Sequence, residues 1–151
     1  MTQIERQLII KDICSMLPYG VKFESYDNIP IVEYCACNNV FIHEQGYVII
    51  ELLDKDSNGN TLASTSINLT TVSRLPKPYL RPMSSMTEEE KNELGNFVAA
   101  EMFASQNKDP LFQLTRKALF ADFFNKHHID YRGFIEDGFA LEAPEGMYEI
   151  K

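Results

Sequence analysis

Three prolines fall within seven residues of the segment LPKPYLRPMSS, residues 75–85. Because proline fixes φ and has no amide hydrogen, this density forbids a helix and a central strand. Strand-favouring residues dominate the half before it, about 21–75, whereas the half after it, 86–151, shows helical spacing and helix-capping sequences. The segment is therefore predicted to be an extended joint between a β-rich half and a helical half of one domain, 1–151.

Length and composition are those of a single folded domain. The chain has 151 residues, of which 44% are hydrophobic, and a domain of this size buries roughly 70% of the surface that its unfolded chain exposes. Strand-forming runs followed by helical patterns are typical of the α+β class. We therefore expect an N-terminal helix, an antiparallel sheet of about four to five strands, two longer C-terminal helices and one short helix.

The first half of the chain begins with a helix and continues with strands. Helical periodicity extends over residues 2–17, before Pro18 and Gly20 end it. The strand-forming runs from Val21 to about Val72 then predict an antiparallel meander. The apolar stripe of the helix, expected to face the core, comprises Ile4, Leu8, Ile9, Ile13 and Leu17.

The second half contains two strong helix starts. Thr87 and Glu90 form a capping box, so a helix should begin there and run to about Ser105. Asp109 and Pro110 cap and open the next helix, which should end near Lys126. The residues expected to face the core are Leu94, Phe97, Val98 and Met102 in the first helix, and Leu111, Leu114, Ala118, Leu119 and Phe123 in the second.

The stretch DKDSNGN, residues 54–60, looks like the first half of a calcium-binding EF-hand loop. The twelfth position of such a loop must supply a bidentate glutamate, and here it is Thr65. The stretch also lies between two strand-forming runs, and Asn58-Gly59 strongly favours a tight hairpin turn with positive φ at both residues. A hairpin is therefore predicted instead of a calcium site.

Charge and cysteine content exclude several classes of protein. Lys and Arg number 14 against 22 Asp and Glu, and the net charge of -8 disfavours binding to nucleic-acid phosphates. No apolar run reaches about 18 residues, and charges interrupt the start of the chain, so neither a membrane span nor export is expected. Cys14, Cys35 and Cys37 are too few for a four-thiolate zinc site and are expected to be reduced thiols in a cytoplasm. No cofactor is expected.

The segment HHIDYRGFIEDGF, residues 127–139, has the composition of a catalytic site, but its polar residues also have structural explanations. Adjacent histidines diverge by about 100° on a helix and do not readily share a metal. As cations they would instead favour the negative end of the helix dipole. Asp130 is placed to cap a short helix over 131–137, which Gly138 would end in the left-handed conformation before an apolar contact from Phe139.

The sequence contains three long blocks in order: DICSMLPYGVK near the start, KPYLRPMSSMTEEEKNEL in the middle and HHIDYRGFIEDGFALEAPEGMY at the end. Together they cover about a third of the chain, and they resemble a family of small uncharacterised proteins encoded by phages and prophages of gut bacteria. Phe134 and Phe139 stand where that family usually has leucine, and residues 23–74 look like its variable part. The resemblance implies a phage origin and supplies no catalytic residue.

The preferred hypothesis is a phage or prophage accessory protein that binds a host or phage protein without catalysis. The candidate contact residues are Tyr79, Arg81, Tyr131 and Arg132, because exposed Tyr and Arg contribute more binding energy than other types. Neither the partner nor the oligomeric state follows from the sequence.

Two alternatives remain. The first is a small hydrolase or metal-dependent enzyme, which needs bases or ligands to converge in space. Its residues would be His127 or His128 with Asp130 and Glu136, and for example His43 or Glu33 from elsewhere in the chain. The second is an acidic mimic of nucleic acid, for which the densest acids are Glu88 to Glu90 and Glu93.

Overall fold

The computed structural model describes residues 2–24, 34–104 and 109–148, without the side chains of 101–104 and Phe112. An N-terminal helix, an antiparallel sheet and two later helices confirm the α+β class. The elements in chain order are helix α1 (Gln3–Met16), a 3-10 turn (Leu17–Tyr19), strands β1 (Lys22–Phe23), β2 (Tyr34–Ile42), β3 (Val48–Lys55), β4 (Thr61–Asn68) and β5 (Tyr79–Leu80), a second 3-10 turn (Met83–Ser85), helices α2 (Glu88–Ala104) and α3 (Pro110–Lys126), and strand β6 (Leu141–Glu142).

The main sheet is a four-stranded antiparallel meander with the order β1-β2-β3-β4. Alternate residues of a strand point to the same face, and on the core face Phe23, Ile50 and Leu52 are fully buried. Ile9 and Ile13 of α1 belong to the same apolar cluster. The core therefore lies between α1 and one face of the sheet.

The face of α1 that meets this core is narrower than the sequence predicts. Ile9 and Ile13 are buried, whereas Ile4 and Leu8 are 71% and 57% exposed. Leu8 lies about 100° around the helix axis from Ile9, and Ile4 lies on the side opposite to Ile13. One sheet face does not cover so wide an arc, so the prediction that Ile4 and Leu8 face the core is wrong.

The DKDSNGN stretch joins β3 to β4 as a hairpin, but with a different turn from the one predicted. The Gly59 amide donates to the Asp56 carbonyl at 2.9 Å, and Gly59 has a φ of +79°, whereas Asn58 does not have positive φ. The Asp56 carboxylate accepts hydrogen bonds from the amides of Asn58 and Asn60. This is the arrangement of a type I turn followed by a left-handed glycine, in which Asn58 keeps ordinary backbone angles.

The proline-rich joint lies along the β1 edge of the sheet. Pro76 and Pro78 are fully buried, and Pro78 forms an isolated antiparallel bridge with Phe23. On the other side of the joint, β5 pairs in parallel with β6. The prolines keep the joint out of the main sheet, although a 3-10 turn forms directly after the last of them.

Both C-terminal helices begin as predicted. The Thr87 hydroxyl accepts from the Glu90 amide at 3.2 Å, and the Glu90 carboxylate accepts from the Thr87 amide at 2.8 Å. The Asp109 carboxylate accepts from the amide two residues later at 3.0 Å. α3 ends at Lys126, whereas Ser105, the predicted end of α2, lies outside the described residues.

The apolar faces of these helices are less buried than predicted. α2 and α3 pack through aromatic rings, with centroid distances of 6.1 Å for Phe97–Phe120 and 5.9 Å for Phe97–Phe123. Phe120 lies nine residues after Leu111 and therefore on the opposite side of α3, so the predicted stripe mostly faces outward. Among the residues predicted to be buried, the exposed fractions are 44% for Val98, 70% for Leu111, 65% for Leu114 and 49% for Leu119. Ala118 is also exposed, and the side chain of Met102 lies outside the described residues.

Residues 131–137 form turns instead of the predicted short helix. Asp130 does act as a cap, because its carboxylate accepts from the amides of Phe134 and Ile135 at 2.9 and 2.8 Å. Gly133 takes a φ of +77°, outside the helical region, so the backbone does not enter a helix at residue 131. A single turn follows Gly133.

That turn ends in the way the sequence predicts. Gly138 has a φ of +76° and its amide donates to the Ile135 carbonyl, while the Phe139 amide donates to the Phe134 carbonyl at 2.8 Å. These are the two hydrogen bonds of a Schellman motif. The rings of Phe134 and Phe139 are in edge contact at 6.2 Å, which confirms both the left-handed stop and the apolar contact.

Candidate functional site

The four predicted contact residues fall in two adjoining places. Tyr79 and Arg81 belong to the joint, and Tyr131 and Arg132 follow the end of α3. The joint meets the chain after α3 through a parallel bridge between Arg81 and Ile129. The two places are neighbours, but their side chains have different surroundings.

Arg81 is a buried anchor and not an exposed contact. It is 9% exposed, and its guanidinium donates two hydrogen bonds of 2.7 and 3.0 Å to the Glu90 carboxylate. A further N–H of the same group donates to the Ser85 carbonyl at 2.8 Å. His127 Nδ1 lies 3.1 Å from Glu90 Oε1. The expectation that Arg81 is exposed does not hold.

Glu90 stays ionised in this buried cluster. Its side chain is only 3% exposed, and burial alone would raise the pKa of the carboxyl. Hydrogen bonds from Arg81 and from the Thr87 amide outweigh burial, so the pKa of Glu90 lies below its ordinary value. The cluster therefore links the joint, the start of α2 and the end of α3 through one carboxylate.

His128 is a neutral ring packed against the C-terminal segment. Its centroid lies 3.8 Å from that of the Tyr148 ring, in a stacked arrangement. Burial, together with the electrostatic effects of Arg81, His127 and Lys22, lowers the pKa of His128 to about 4. The prediction that both histidines act as cations at the end of α3 is therefore wrong for His128.

The residues of the predicted hydrolase site already have separate roles. His127 contacts the Glu90 carboxylate, His128 stacks in the C-terminal segment and Asp130 caps the following turn. Glu136 is exposed. In the part of the chain that the structure describes, no group of three His, Cys, Asp or Glu residues is placed to hold a metal ion.

His43 and Glu33, the residues expected to join the hydrolase site from elsewhere in the chain, give it no support. His43 lies at the exposed β2–β3 hairpin, where its Nδ1 accepts from the Gln45 amide at 3.2 Å. Glu33 lies outside the described residues. The geometry of the described chain gives His43 a role in its own turn.

The acids at the start of α2 do not all belong to one charged surface. Glu90 is buried, and Glu88 pairs with Lys91 at 2.7 Å. Glu93 Oε2 lies 3.8 Å from His127 Nε2. Glu88, Glu90 and Glu93 thus each have a basic neighbour, and Glu90 is internal, which does not favour a mimic of evenly spaced phosphates.

Tyr131 and Arg132 lie on the surface beside α1. The Arg132 side chain is 48% exposed, and its guanidinium donates to the Asp12 carboxylate at 3.0 Å. The same guanidinium lies 5.1 Å from the Tyr131 ring, which stacks on Phe124 at 4.9 Å. Arg132 is thus held in position by an ion pair and a cation–π contact while half of it faces solvent.

Arg132 also lines a groove of about 600 Å³ between α1 and the turn over 133–139, called the α1 groove below. Its apolar lining residues are Leu8, Ile9, Phe134 and Phe139, and its charged ones are Glu5, Lys11, Asp12, Arg132 and Asp137. Sequence reasoning missed Leu8 as a surface residue because an apolar stripe at helical spacing predicts burial. The available signal was the width of the apolar arc of α1, which exceeds what one sheet face covers.

Tyr79 lines a different pocket, of about 490 Å³, together with Lys22 and Tyr34. The Tyr79 carbonyl accepts a hydrogen bond from the Tyr148 hydroxyl at 2.9 Å, and burial raises the pKa of the Tyr79 phenol. The Lys22 ammonium lies 4.3 Å from the Tyr34 ring. The structure therefore brings Tyr131 and Arg132 together and places Tyr79 in a separate pocket.

Comparison with known proteins gives no match: no family model, no curated protein and no solved structure is similar to this chain. Within the described ranges, no helix is both long enough and apolar enough to cross a bilayer.

Proposed function

We propose that this chain is a phage or prophage accessory protein of the bacterial cytoplasm that binds a host or phage protein without catalysis. The observation that carries the proposal is the α1 groove, which combines an apolar floor, exposed apolar Leu8 and a fixed Arg132. The resemblance of three sequence blocks to a family of phage and prophage proteins supports this origin.

The composition of the α1 groove favours a protein side chain as its occupant. Leu8 is 57% exposed, and full burial of a leucine contributes about 1.5–3 kcal/mol. An Arg held by an ion pair loses little conformational entropy when a partner covers it, and Arg is enriched among residues that dominate binding. Leu8 and Arg132 are therefore expected to contribute most of the binding energy.

The charges around the α1 groove suggest the chemistry of the partner. Acidic Glu5, Asp12 and Asp137 line it with basic Lys11 and Arg132, and the whole chain has a net charge of -8. Complementary potentials accelerate association and select partners. The partner is expected to insert an apolar side chain that is flanked by basic residues.

The test is the double substitution Leu8→Ser with Arg132→Ala in a tagged copy expressed in phage-infected host cells. Proteins that co-purify with the wild-type chain are identified and quantified by mass spectrometry. We expect at least one partner of the wild type to be depleted about tenfold or more, because truncation of a dominant contact costs about 2 kcal/mol.

Leu111→Ser is the matched control, since Leu111 is also an exposed leucine on a helix, at 70% exposure, but lies away from the α1 groove. This variant should retain the partner at the wild-type level. A double variant that keeps every wild-type partner at full yield would refute the α1 groove as the binding site.

A further inference from the structure

Strand β4 is the last strand of the main sheet. It pairs with β3 on one side, and no other strand of the described ranges pairs with it. The opposite edge, at β1, is covered by the proline-rich joint through the bridge of Phe23 with Pro78 and the 2.9 Å bond from the Glu24 amide to the Lys77 carbonyl. Within the described ranges, the joint thus covers β1, whereas no strand pairs with the outer side of β4 or with the outer side of β2 after Ala36.

The backbone groups at this edge can be assigned from the register. The Leu69 amide donates to the Val48 carbonyl at 2.8 Å, and the pairing continues without a shift as far as Ala63. Hydrogen-bonded and non-hydrogen-bonded residues alternate in an antiparallel pair. Ser64 and Ser66 therefore direct their N–H and C=O groups away from β3.

The sequence of β4 does nothing to discourage a further strand. TLASTSIN, residues 61–68, contains no charged residue and no proline. Proteins commonly use charged residues and prolines to prevent an edge strand from pairing with another chain. Its bulge lies at the hairpin end, opposite Asp54 and Lys55, and leaves the rest of the strand regular. The side chains of Ser64 and Ser66 are small and exposed, so these two residues themselves do not obstruct a neighbouring strand.

We infer that β4 pairs with β4 of a second copy of this chain in an antiparallel arrangement, which joins two four-stranded sheets into one of eight. A second copy presents the same uncharged edge, so self-pairing brings no like charges together along the strand. A two-fold axis is also the commonest symmetry of oligomers. This interface involves the sheet edge and not the α1 groove.

The backbone groups of Ser64 and Ser66 that point away from β3 fix the register of the pair. The two-fold axis passes beside Thr65, so that Ser64 of one copy lies opposite Ser66 of the other and each such pair exchanges two hydrogen bonds. Shifts toward Asn68 are disfavoured because its carbonyl already accepts from the amides of Thr71 and Val72.

The pairing is expected to be weak and dependent on concentration. One strand edge with small side chains buries less than the roughly 1,600 Å² of a standard stable interface. Sedimentation equilibrium from about 1 µM to about 1 mM covers the dissociation constants expected of such a contact. Wild-type protein should shift from monomer to dimer across this range.

Ser64→Pro tests the edge directly. Proline at this position removes an amide that points away from β3, so the β3–β4 ladder keeps its bonds while the second copy loses a donor. The variant should remain folded by circular dichroism and monomeric throughout. A wild type that is monomeric at every concentration, or a folded Ser64→Pro variant that dimerises like the wild type, overturns the inference.

Two charge variants test the register without proline. Ser64→Lys with Ser66→Lys places like charges opposite each other across the axis and should abolish the dimer. Ser64→Glu with Ser66→Lys places opposite charges there and should dimerise at least as well as the wild type. Equal association of the two variants would show that this edge and register are not used.

Discussion

Arg81 holds a full positive charge in a position that is 9% exposed, and the surrounding groups offset the cost of that burial. Its guanidinium makes paired hydrogen bonds to Glu90, which itself accepts from the Thr87 amide and lies beside His127. Such bidentate hydrogen bonds are stronger and more directional than single ones. One residue of the joint therefore fixes the start of α2 and the end of α3 together.

Removal of either member of the pair should destabilise the fold strongly. Arg81→Ala leaves the Glu90 carboxylate without its principal partner, and breaking a buried pair from one side costs about 3–5 kcal/mol. Glu90→Gln keeps an acceptor for the Thr87 amide but leaves Arg81 without its counter-charge. Urea unfolding of both single variants and the double variant, followed by circular dichroism, measures the coupling.

The double variant should lose less stability than the sum of the two single losses, because the second substitution removes a charge that the first has already left unpaired. Strict additivity of the two losses would contradict the energetic coupling of Arg81 with Glu90.

At the scale of elements, helix and turn boundaries follow from local hydrogen bonds. Thr87 and Asp109 cap the amides that begin α2 and α3, and Gly138 ends the turn that Asp130 begins. Each of these bonds joins residues at most five positions apart, so the sequence determines both partners. These elements require little from the rest of the fold to form.

Two glycine substitutions should change stability in opposite directions. Gly138→Ala forces a side chain into a φ of +76° and should destabilise the protein by about 1–2 kcal/mol. Gly95→Ala lies on an exposed turn of α2 with open space around the new methyl group, and should stabilise by roughly 0.5–1 kcal/mol. Thermal unfolding of both variants measures the difference, and a shared sign would contradict the backbone explanation.

At the scale of the whole molecule, the C-terminal segment and the joint enclose a titratable ring. His128 lies against Tyr148, whose hydroxyl accepts from the Lys22 amide at 2.8 Å and donates to the Tyr79 carbonyl at 2.9 Å. The proton affinity of His128 therefore depends on β1, β5 and the C-terminal segment being packed together. The stability of the fold should depend on pH as a result.

The pKa of His128 is lowered to about 4 from its ordinary 6.5, so the unfolded chain takes up this proton first as the pH falls. Its contribution to stability is full above about pH 6.5 and is lost between there and about pH 4, by about 1–2 kcal/mol after allowance for solvent screening. The lowered pKa of Glu90 acts in the same direction at more acid pH. Melting temperatures should therefore fall across this window.

His128→Asn removes the titrating ring and tolerates the φ of +56° at this position. It should lower the overall stability and flatten the slope between about pH 6.5 and 4. The control is His43→Asn, at an exposed hairpin, which shows whether the loss of any histidine has the same effect as the loss of this half-buried ring. A slope in His128→Asn as steep as that of the wild type would contradict the assignment.

The sequence by itself determined the α+β class, the starts of α2 and α3, the β3–β4 hairpin and the stop at Gly138. In each case the deciding contacts lie within a few residues, or a repeating apolar pattern names the element. The predictions of positive φ at Asn58 and of a short helix over 131–137 were wrong. Hydrogen bonds to the Asp56 side chain set the backbone angles of the turn, and the positive φ of Gly133 prevents the helix.

Only the tertiary structure decided which sides of the elements are buried. Leu8 and Leu111 satisfy the same apolar spacing as buried residues but face solvent, whereas charged Arg81 is enclosed. Burial depends on which helix meets which sheet face, and that depends on contacts between residues tens of positions apart that no local pattern encodes. The α1 groove exists for this reason: one sheet face covers only part of the apolar arc of α1, and the turn after α3 lies beside the remainder.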